Sequence, residues 1–361
     1  MEKVLKKDDG LHYSYRNIDG YNKDFNFIIG PKEIGKTDMF HFQKVYFHWK
    51  NKHQSTIFIC RNVVDISEDM VKTPAKIIDQ WFGTNLEDNI KFRIGARGSS
   101  SVVSVYYKKD TRPIYYFLPL SVPLSRLKKL KIYNADLIYF DEFMLDTSKG
   151  EKYLKGEAIR FMEMFSTYKR DNPNLKAYFT GNIYSLYNPY FVYLGIKTTD
   201  LKVGSIFAKG TYAVDRPVVN KDLEEKLKKL NPLYQSSNQQ YIDYALFGKA
   251  INDSNIRICE IMPKLYQLDH VFIFENKYLG VFQNRDYSDL NTRYWVGEIK
   301  EYSKYRNALC FDFEDLSEGT ILISHDDRNR FAHFRSSIRN RQVIYQSVEV
   351  AYYIQNIYNN I

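Results

Sequence analysis

The chain has 361 residues, 44% hydrophobic and 16% aromatic, so it can bury a sizeable interior, is not disordered, and exceeds one ordinary core; two domains are expected. Its apolar runs are far shorter than the ~20 residues that cross a bilayer, Met1 to Asp9 lacks a secretory core, and Cys60, Cys259 and Cys310 form no CxxC pair. These features exclude a membrane span, a disulfide framework and a structural zinc site, and the expectation is a soluble cytosolic protein. The net charge of +9 is uneven: residues 1–230 carry a balance of +11 and residues 231–361 a balance of −2. A basic first part suits a protein that handles a polyanion, because neutralised phosphates release counterions.

The apolar run Phe25-Asn26-Phe27-Ile28-Ile29 reads as a buried strand, and Gly30-Pro31-Lys32-Glu33-Ile34-Gly35-Lys36-Thr37 follows it directly. This is a P-loop. Its glycines let backbone N–H groups close around phosphate oxygens, Lys36 can reach the β and γ phosphates, and the Thr37 hydroxyl can ligate Mg²⁺. A helix is expected from Asp38 to Trp49, and Tyr21 is a candidate adenine contact.

Further strands are expected at 56–60, 137–141 and 176–180, with a fifth near 203–207. Their alternation with helix-length segments reads as α/β with a mainly parallel sheet. Segments 101–107 and 114–118 alternate in β fashion and look like an inserted hairpin. Pro173 ends a helix over 153–168, because proline cannot continue it.

The strand Leu137-Ile138-Tyr139-Phe140 runs into Asp141-Glu142. Asp141 fits the Walker B role of holding Mg²⁺, and Glu142 fits the base that orients an attacking water. The long stretch between the two motifs leaves room for an additional strand, assigned to 56–60, which with the glutamate points to an additional-strand (ASCE) P-loop ATPase. The guanine-reading NKxD pattern does not follow the P-loop; Asn22-Lys23-Asp24 precedes it with the wrong spacing, so ATP is expected rather than GTP. Asn182, with Thr180 second, is the candidate sensor of the γ-phosphate, and Arg170 the candidate cation delivered to a neighbouring subunit's nucleotide. For DNA contact the candidates are the stretch Arg126, Lys128, Lys129 and Lys131, and the hairpin edge Lys108, Lys109 and Arg112.

Domains are expected at 1–215 for the ATPase, 216–258 for a helical linker, and 259–361 for a small α+β domain with strands at 271–274, 278–282, 294–296 and 321–324 and a helix over 341–358.

The order of these motifs, with Ile57-Phe-Ile-Cys-Arg61, Pro119-Leu-Ser-Val122 and Asn188-Pro-Tyr-Phe191 between and after them, resembles the DNA-packaging ATPases of small tailed phages with protein-primed linear genomes. Those are terminase-like motors. The likeness is good over residues 20–195 and looser beyond. It implies ATP and Mg²⁺ as cofactors, a homopentameric ring at the portal of an empty capsid, double-stranded DNA as the cargo, and a host-cytoplasmic location with transient residence at the portal vertex. A scaffold RNA is a further conceivable partner. By position it supports Lys36, Thr37, Asp141, Glu142, Arg170 and Asn182 in the roles above, and places Lys128 toward a neighbour's nucleotide or the pore. Of the family's basic run after the second strand only Arg61 keeps its charge.

The resemblance also implies an RNase H-like C-terminal domain, degenerate as a nuclease and used for docking. Glu275, Asp326-Asp327 and Glu349 are its only candidate metal-binding carboxylates, and the first strand at 271–274 has no central Asp. Rival readings are a terminase with an active nuclease, a nucleotide-gated capsid-assembly adaptor without turnover, and a kinase or helicase, the last lacking a recognisable lid or helicase motif set.

Overall fold

All five side chains of β1 (Phe25–Ile29) are buried, which requires a strand inside a sheet covered on both faces. The other strands of this first sheet are β2 (Ser55–Cys60), β3 (Ile90–Lys91), β4 (Val103–Tyr107), β5 (Pro113–Pro119), β6 (Ala135–Phe140), β7 (Lys176–Gly181), β8 (Ile206–Lys209) and β9 (Tyr212–Asp215), in the order β3-β4-β5-β2-β6-β7-β1-β9-β8. From β5 to β9 the six central strands are parallel; the pairings at the two edges are antiparallel. The computed structural model describes residues 11–92 and 102–358, apart from isolated positions and short segments of which 235–241, 248–255 and 301–306 are the longest.

Alternate side chains serve opposite faces. Ile28, Phe58, Tyr139 and Tyr178 pack under α2 (Lys36–Phe40), the π-helical turn His41–Val45, α3 (Tyr46–Lys52) and α4 (Glu68–Phe82). Phe27, Ile57, Phe140 and Phe179 pack under α6 (Glu157–Asp171) and α7 (Pro189–Leu194). The interiors are ring-rich: Phe27 stacks on Phe179 with centroids 4.4 Å apart, and Phe40 on Tyr139 at 4.0 Å.

Two expectations change, while 176–180 does lie beside the strand that leads to Asp141: β7 stands between β6 and β1, and β2 on the far side of β6. The fifth strand is β8, and it reaches the sheet only as the outer arm of a hairpin with β9, which pairs with β1. The 101–118 hairpin is no appendage, because β5 pairs in parallel with β2 and extends the sheet.

The chain divides into two units, Met1–Leu145 with Lys152–Ile251, and Asp146–Glu151 with Asn252–Ile361. Residues of the stretch expected as a linker pack within the first unit: Leu223 and Leu227 of α8 (Lys221–Leu230), Tyr234, Ala245 and Leu246 join its core.

The second unit holds β10 (Arg257–Ile258), β11 (Tyr266–Phe274), β12 (Lys277–Asn284), β13 (Tyr294–Glu298), β14 (Ala308–Cys310), β15 (Thr320–Leu322) and β16 (Val343–Tyr345), ordered β10-β16-β13-β12-β11-β14-β15. Its centre is an antiparallel meander, β11 to β13, with β14 and β15 added in parallel beside β11. This is the connectivity of an RNase H-like sheet. The expected helix over 341–358 begins instead with β16 and is helical over Val348–Tyr358.

Phe27 is fully buried against Phe179. Phe27→Ala is therefore expected to cost about 3–5 kcal/mol, read as a lower denaturation midpoint of the first unit. Val64→Ala, at an exposed position, should stay within about 0.5 kcal/mol of wild type.

Candidate functional site

The end of β1 turns into the P-loop, and two residues there adopt left-handed backbone, Glu33 at φ 61° and Gly35 at φ 77°. A Cβ on Gly35 would also lie 2.9 Å from the His12 ring, so both conformation and space call for glycine. Lys36 begins α2 with its side chain folded back over the loop. Its Nζ donates to the carbonyls of Pro31 at 2.6 Å and Gly30 at 3.2 Å, and to Asn182 Oδ1 at 3.2 Å. Those three acceptors are neutral, and burial lowers the Lys36 pKa to about 8.

At the next residue, the Thr37 hydroxyl donates to Asp141 Oδ2 at 2.7 Å. The other oxygen of the same carboxylate accepts from Thr180 Oγ1 at 2.5 Å, and the Tyr139 hydroxyl lies 2.8 Å from that threonine. Asp141 thus joins the helix after the P-loop to the end of β7. Of the two sensor candidates, Asn182 touches Lys36 and Thr180 touches Asp141. The expected single helix over 38–49 is interrupted by the π-helical turn, where the His41 ring nitrogen Nδ1 lies 2.7 Å from the Thr37 carbonyl. A carbonyl only accepts, so Nδ1 carries the proton, and burial lowers the His41 pKa.

Glu142 stands at φ 50°, a conformation costly for a residue with a Cβ. Arg61, which follows β2, holds it there. Its guanidinium donates to the Glu142 carbonyl at 3.0 Å and the Phe143 carbonyl at 2.5 Å, while Nε pairs with Glu157 at 3.0 Å. Glu157 is 1% exposed and also accepts from the Tyr190 hydroxyl and the Leu154 amide. The one charge left from the family's basic run is therefore spent inside the domain. Residues of the 216–258 stretch meet the loop itself: the Ala245 carbonyl accepts from the Lys32 amide at 2.9 Å, and Tyr234 donates to Glu33 at 2.9 Å. Neither contact nor the Arg61 clamp was read from sequence; an arginine directly after a buried strand was the one available signal.

Other candidates lie away from this cluster. Tyr21 precedes β1, whose length, about 16 Å, lies between it and the P-loop. Arg170 is exposed near the far end of α6, thirteen residues or about 20 Å beyond Glu157. Lys169 beside it pairs with Asp24 at 2.7 Å, just before β1. Lys128 pairs with Glu163 of its own chain at 2.5 Å, Lys129 is exposed next to it, and Lys131 lies outside the described residues. Lys108 and Lys109 sit on the β4–β5 turn, at the end of the sheet opposite the P-loop.

In the second unit Glu275, Asp326 and Asp327 lie outside the described residues, and Glu349 is exposed and accepts from Tyr353. The first strand does carry an acid: β11 starts earlier than expected, and Asp269 sits at its irregularity, paired with His270 at 3.1 Å. Among the described residues no three His, Cys, Asp or Glu side chains are grouped to hold a metal.

Removing one member of the buried Arg61–Glu157 pair leaves an uncompensated charge. Arg61→Met is expected to destabilise the first unit by about 3–5 kcal/mol, and Arg61→Met with Glu157→Leu by much less, in a double-mutant cycle of denaturant melts.

No protein-family model matches the chain. Among curated proteins it is 24% identical over 312 residues to the DNA packaging protein of Bacillus phage B103, covering 86% of this chain and 88% of that protein. It is 21% identical over 325 residues to the DNA packaging protein of Bacillus phage phi29, covering 89% of each. Among solved structures, the Phi-28 gp11 DNA packaging motor matches with a TM-score of 0.64 at 17% identity, over 96% of this chain and 97% of that one. The phi29 genome packaging motor assembly matches with a TM-score of 0.62 at 18% identity and the same coverage. The chain is thus similar along most of its length to the Bacillus phage DNA packaging proteins, and it has the fold of the solved packaging motors.

Proposed function

We propose that this chain is an ATP hydrolase whose turnover drives double-stranded DNA through a capsid portal, working as a homo-oligomeric ring. The observation that carries the reading is the Asp141 carboxylate, held by Thr37 and Thr180 beside the buried ammonium of Lys36. A hydroxyl and a carboxylate are the hard oxygen donors that suit Mg²⁺, and a buried lysine hydrogen-bonded only to neutral oxygens suits an added anion. The residues present therefore fit both groups. Bound ATP and Mg²⁺ would supply the phosphoryl group and neutralise charge on its oxygens.

In this reading the amides of residues 30–37 cradle phosphate, Lys36 holds the terminal phosphates, and Thr37 and Asp141 hold the metal. Glu142 orients the attacking water and takes its proton. Asn182 shares a hydrogen bond with Lys36, so an anion that draws the ammonium away releases the amide to report it. Arg170 serves a neighbour's nucleotide, since its own P-loop is out of reach. The DNA cargo and portal partnership rest on what the relatives are named, and the pentameric state and any scaffold RNA on the family resemblance. The second unit is assigned a docking role. The place of action is the host cytoplasm and then the portal vertex; among the described residues no helix is long and apolar enough to cross a membrane.

Phosphate release should require Mg²⁺ and fall about 10²–10⁴-fold in Glu142→Gln with nucleotide binding retained; unchanged turnover would refute the assignment of the base. Mixed oligomers of Glu142→Gln and Arg170→Ala subunits should regain activity that neither variant has alone. The Lys36 pKa, depressed to about 8 in the free protein, should rise when an anion arrives. Nucleotide binding near pH 8 is then accompanied by proton uptake, seen as a buffer-dependent binding enthalpy, and Lys36→Met should abolish that uptake.

A further inference from the structure

At the end of the first sheet opposite the P-loop, the C-terminal turn of α3 meets the β4–β5 hairpin. The junction is fastened by a hydrogen bond from the Ser55 hydroxyl to the Pro113 carbonyl. Trp49 and Tyr107 pack edge to face there, with centroids 5.2 Å apart. Lys50 Nζ lies 4.2 Å over the Trp49 ring and 5.7 Å from the Tyr107 ring, and Lys108 Nζ lies 4.9 Å over Tyr107. Lys52 follows on the helix, and Lys109 and Arg112 follow on the hairpin; all five cations are exposed. The nearby acids of these turns are Asp88 and Asp110, while Asp136 pairs with His48 at 2.8 Å and lies 3.9 Å from Lys52.

Two rings in contact thus hold two ammonium groups on one exposed surface, so the patch is built, and its lysines lose less freedom on binding than lysines waving in water. Lysine is depleted from protein–protein interfaces, whereas a dense set of ammonium and guanidinium groups with few acids suits a phosphate backbone. We propose that this patch binds the backbone of duplex DNA, independently of sequence and away from the nucleotide loop. It rests on the translocase reading above for the choice of duplex DNA as the polyanion. Phosphate contacts suit that role, because they carry no base information and can be exchanged along the strand. The hairpin cations become part of a larger surface to which α3 contributes Lys50, Lys52 and the Trp49 ring.

The test uses the full chain, a labelled random-sequence DNA duplex and a salt series. Each phosphate neutralised contributes about 0.9 to the slope of log affinity against log salt, so the triple variant Lys108→Ala, Lys109→Ala, Arg112→Ala should flatten that slope by about 2.7 and, relative to about 1 M salt, weaken binding roughly five-hundredfold at about 0.1 M. Restoring charge with Lys108→Arg, Lys109→Arg and native Arg112 should restore the slope. ATP turnover without DNA should stay at the wild-type level, and circular dichroism should show the fold intact. An unchanged slope, or a wild-type chain that does not bind duplex, overturns the proposal. So does an altered sedimentation coefficient with an unaltered slope, which would mean that the patch meets a second copy of the chain. Failure of the hydrolase reading is distinguishable: a patch-dependent slope in a chain that releases no phosphate leaves the DNA surface standing and removes the motor.

Discussion

The register of β7 between β1 and β6 is the constraint on which the site depends. Ile28 is opposite Thr180 and Ile29 opposite Gly181 on one side, while Phe140 is opposite Phe179 on the other. Parallel strands so aligned end at one level. That alignment brings the side chain of Thr180 onto the carboxylate that follows β6, and the carboxylate onto the hydroxyl that ends the P-loop. A slip of a single residue would send Thr180 to the opposite face and Phe179 out of its stack on Phe27. The same slip would therefore break the core and the site together, so the aromatic interior secures the chemistry at its edge.

A second constraint acts on Glu142. Its left-handed backbone is unfavourable by itself, and the guanidinium of Arg61 offsets the cost by binding two successive carbonyls of that turn. Arg61 can be so placed only because Glu157, at the start of α6, neutralises it, and Glu157 is in turn held by Tyr190 of α7. The backbone that carries the Glu142 carboxylate is thus held by a chain of buried charge and hydroxyl that crosses β2, β6, α6 and α7. Such a chain is rigid, since any member withdrawn leaves a buried polar group unsatisfied.

What was legible in the sequence follows from how locally each feature is determined. The P-loop could be read because phosphate recognition dictates consecutive residues, and Asp141-Glu142 because an apolar strand ran straight into two acids. β1 was placed to the residue. β9 and β14 escaped notice, being short apolar pieces, Tyr-Ala-Val-Asp and Ala-Leu-Cys, without a period to reveal them. Strand order is non-local, so the place of β2 beyond β6 could not be read from the chain order. The roles of Arg61 and Glu157 were hidden for the opposite reason from the P-loop. A buried ion pair joins residues 96 positions apart, and neither partner differs in sequence from a surface charge. Asp269 was missed because an irregular start to β11 disguised its first residues as loop.

The two ends of the first sheet carry different chemistry, and this bears on how Arg170 could act. At the end where the parallel strands finish, polar side chains are locked into mutual hydrogen bonds around Asp141. Where the strands begin, Lys52, Lys108 and Arg170 stand exposed on the rim. Arg170 is separated from its own P-loop by the length of α6. A guanidinium stabilises a phosphoryl group only at hydrogen-bond range, so it can serve a P-loop solely on another molecule. A contact that joins the strand-start end of one copy to the strand-finish end of the next uses two different surfaces and is heterologous. Repetition of a heterologous contact closes into a ring when its rotation divides the circle, and otherwise winds into a filament. A mutual two-fold dimer cannot make every site equivalent by the same single contact without placing both ends of one sheet against both ends of another. The separation of these two ends across one sheet therefore favours cyclic over two-fold assembly for any role of Arg170 at a nucleotide.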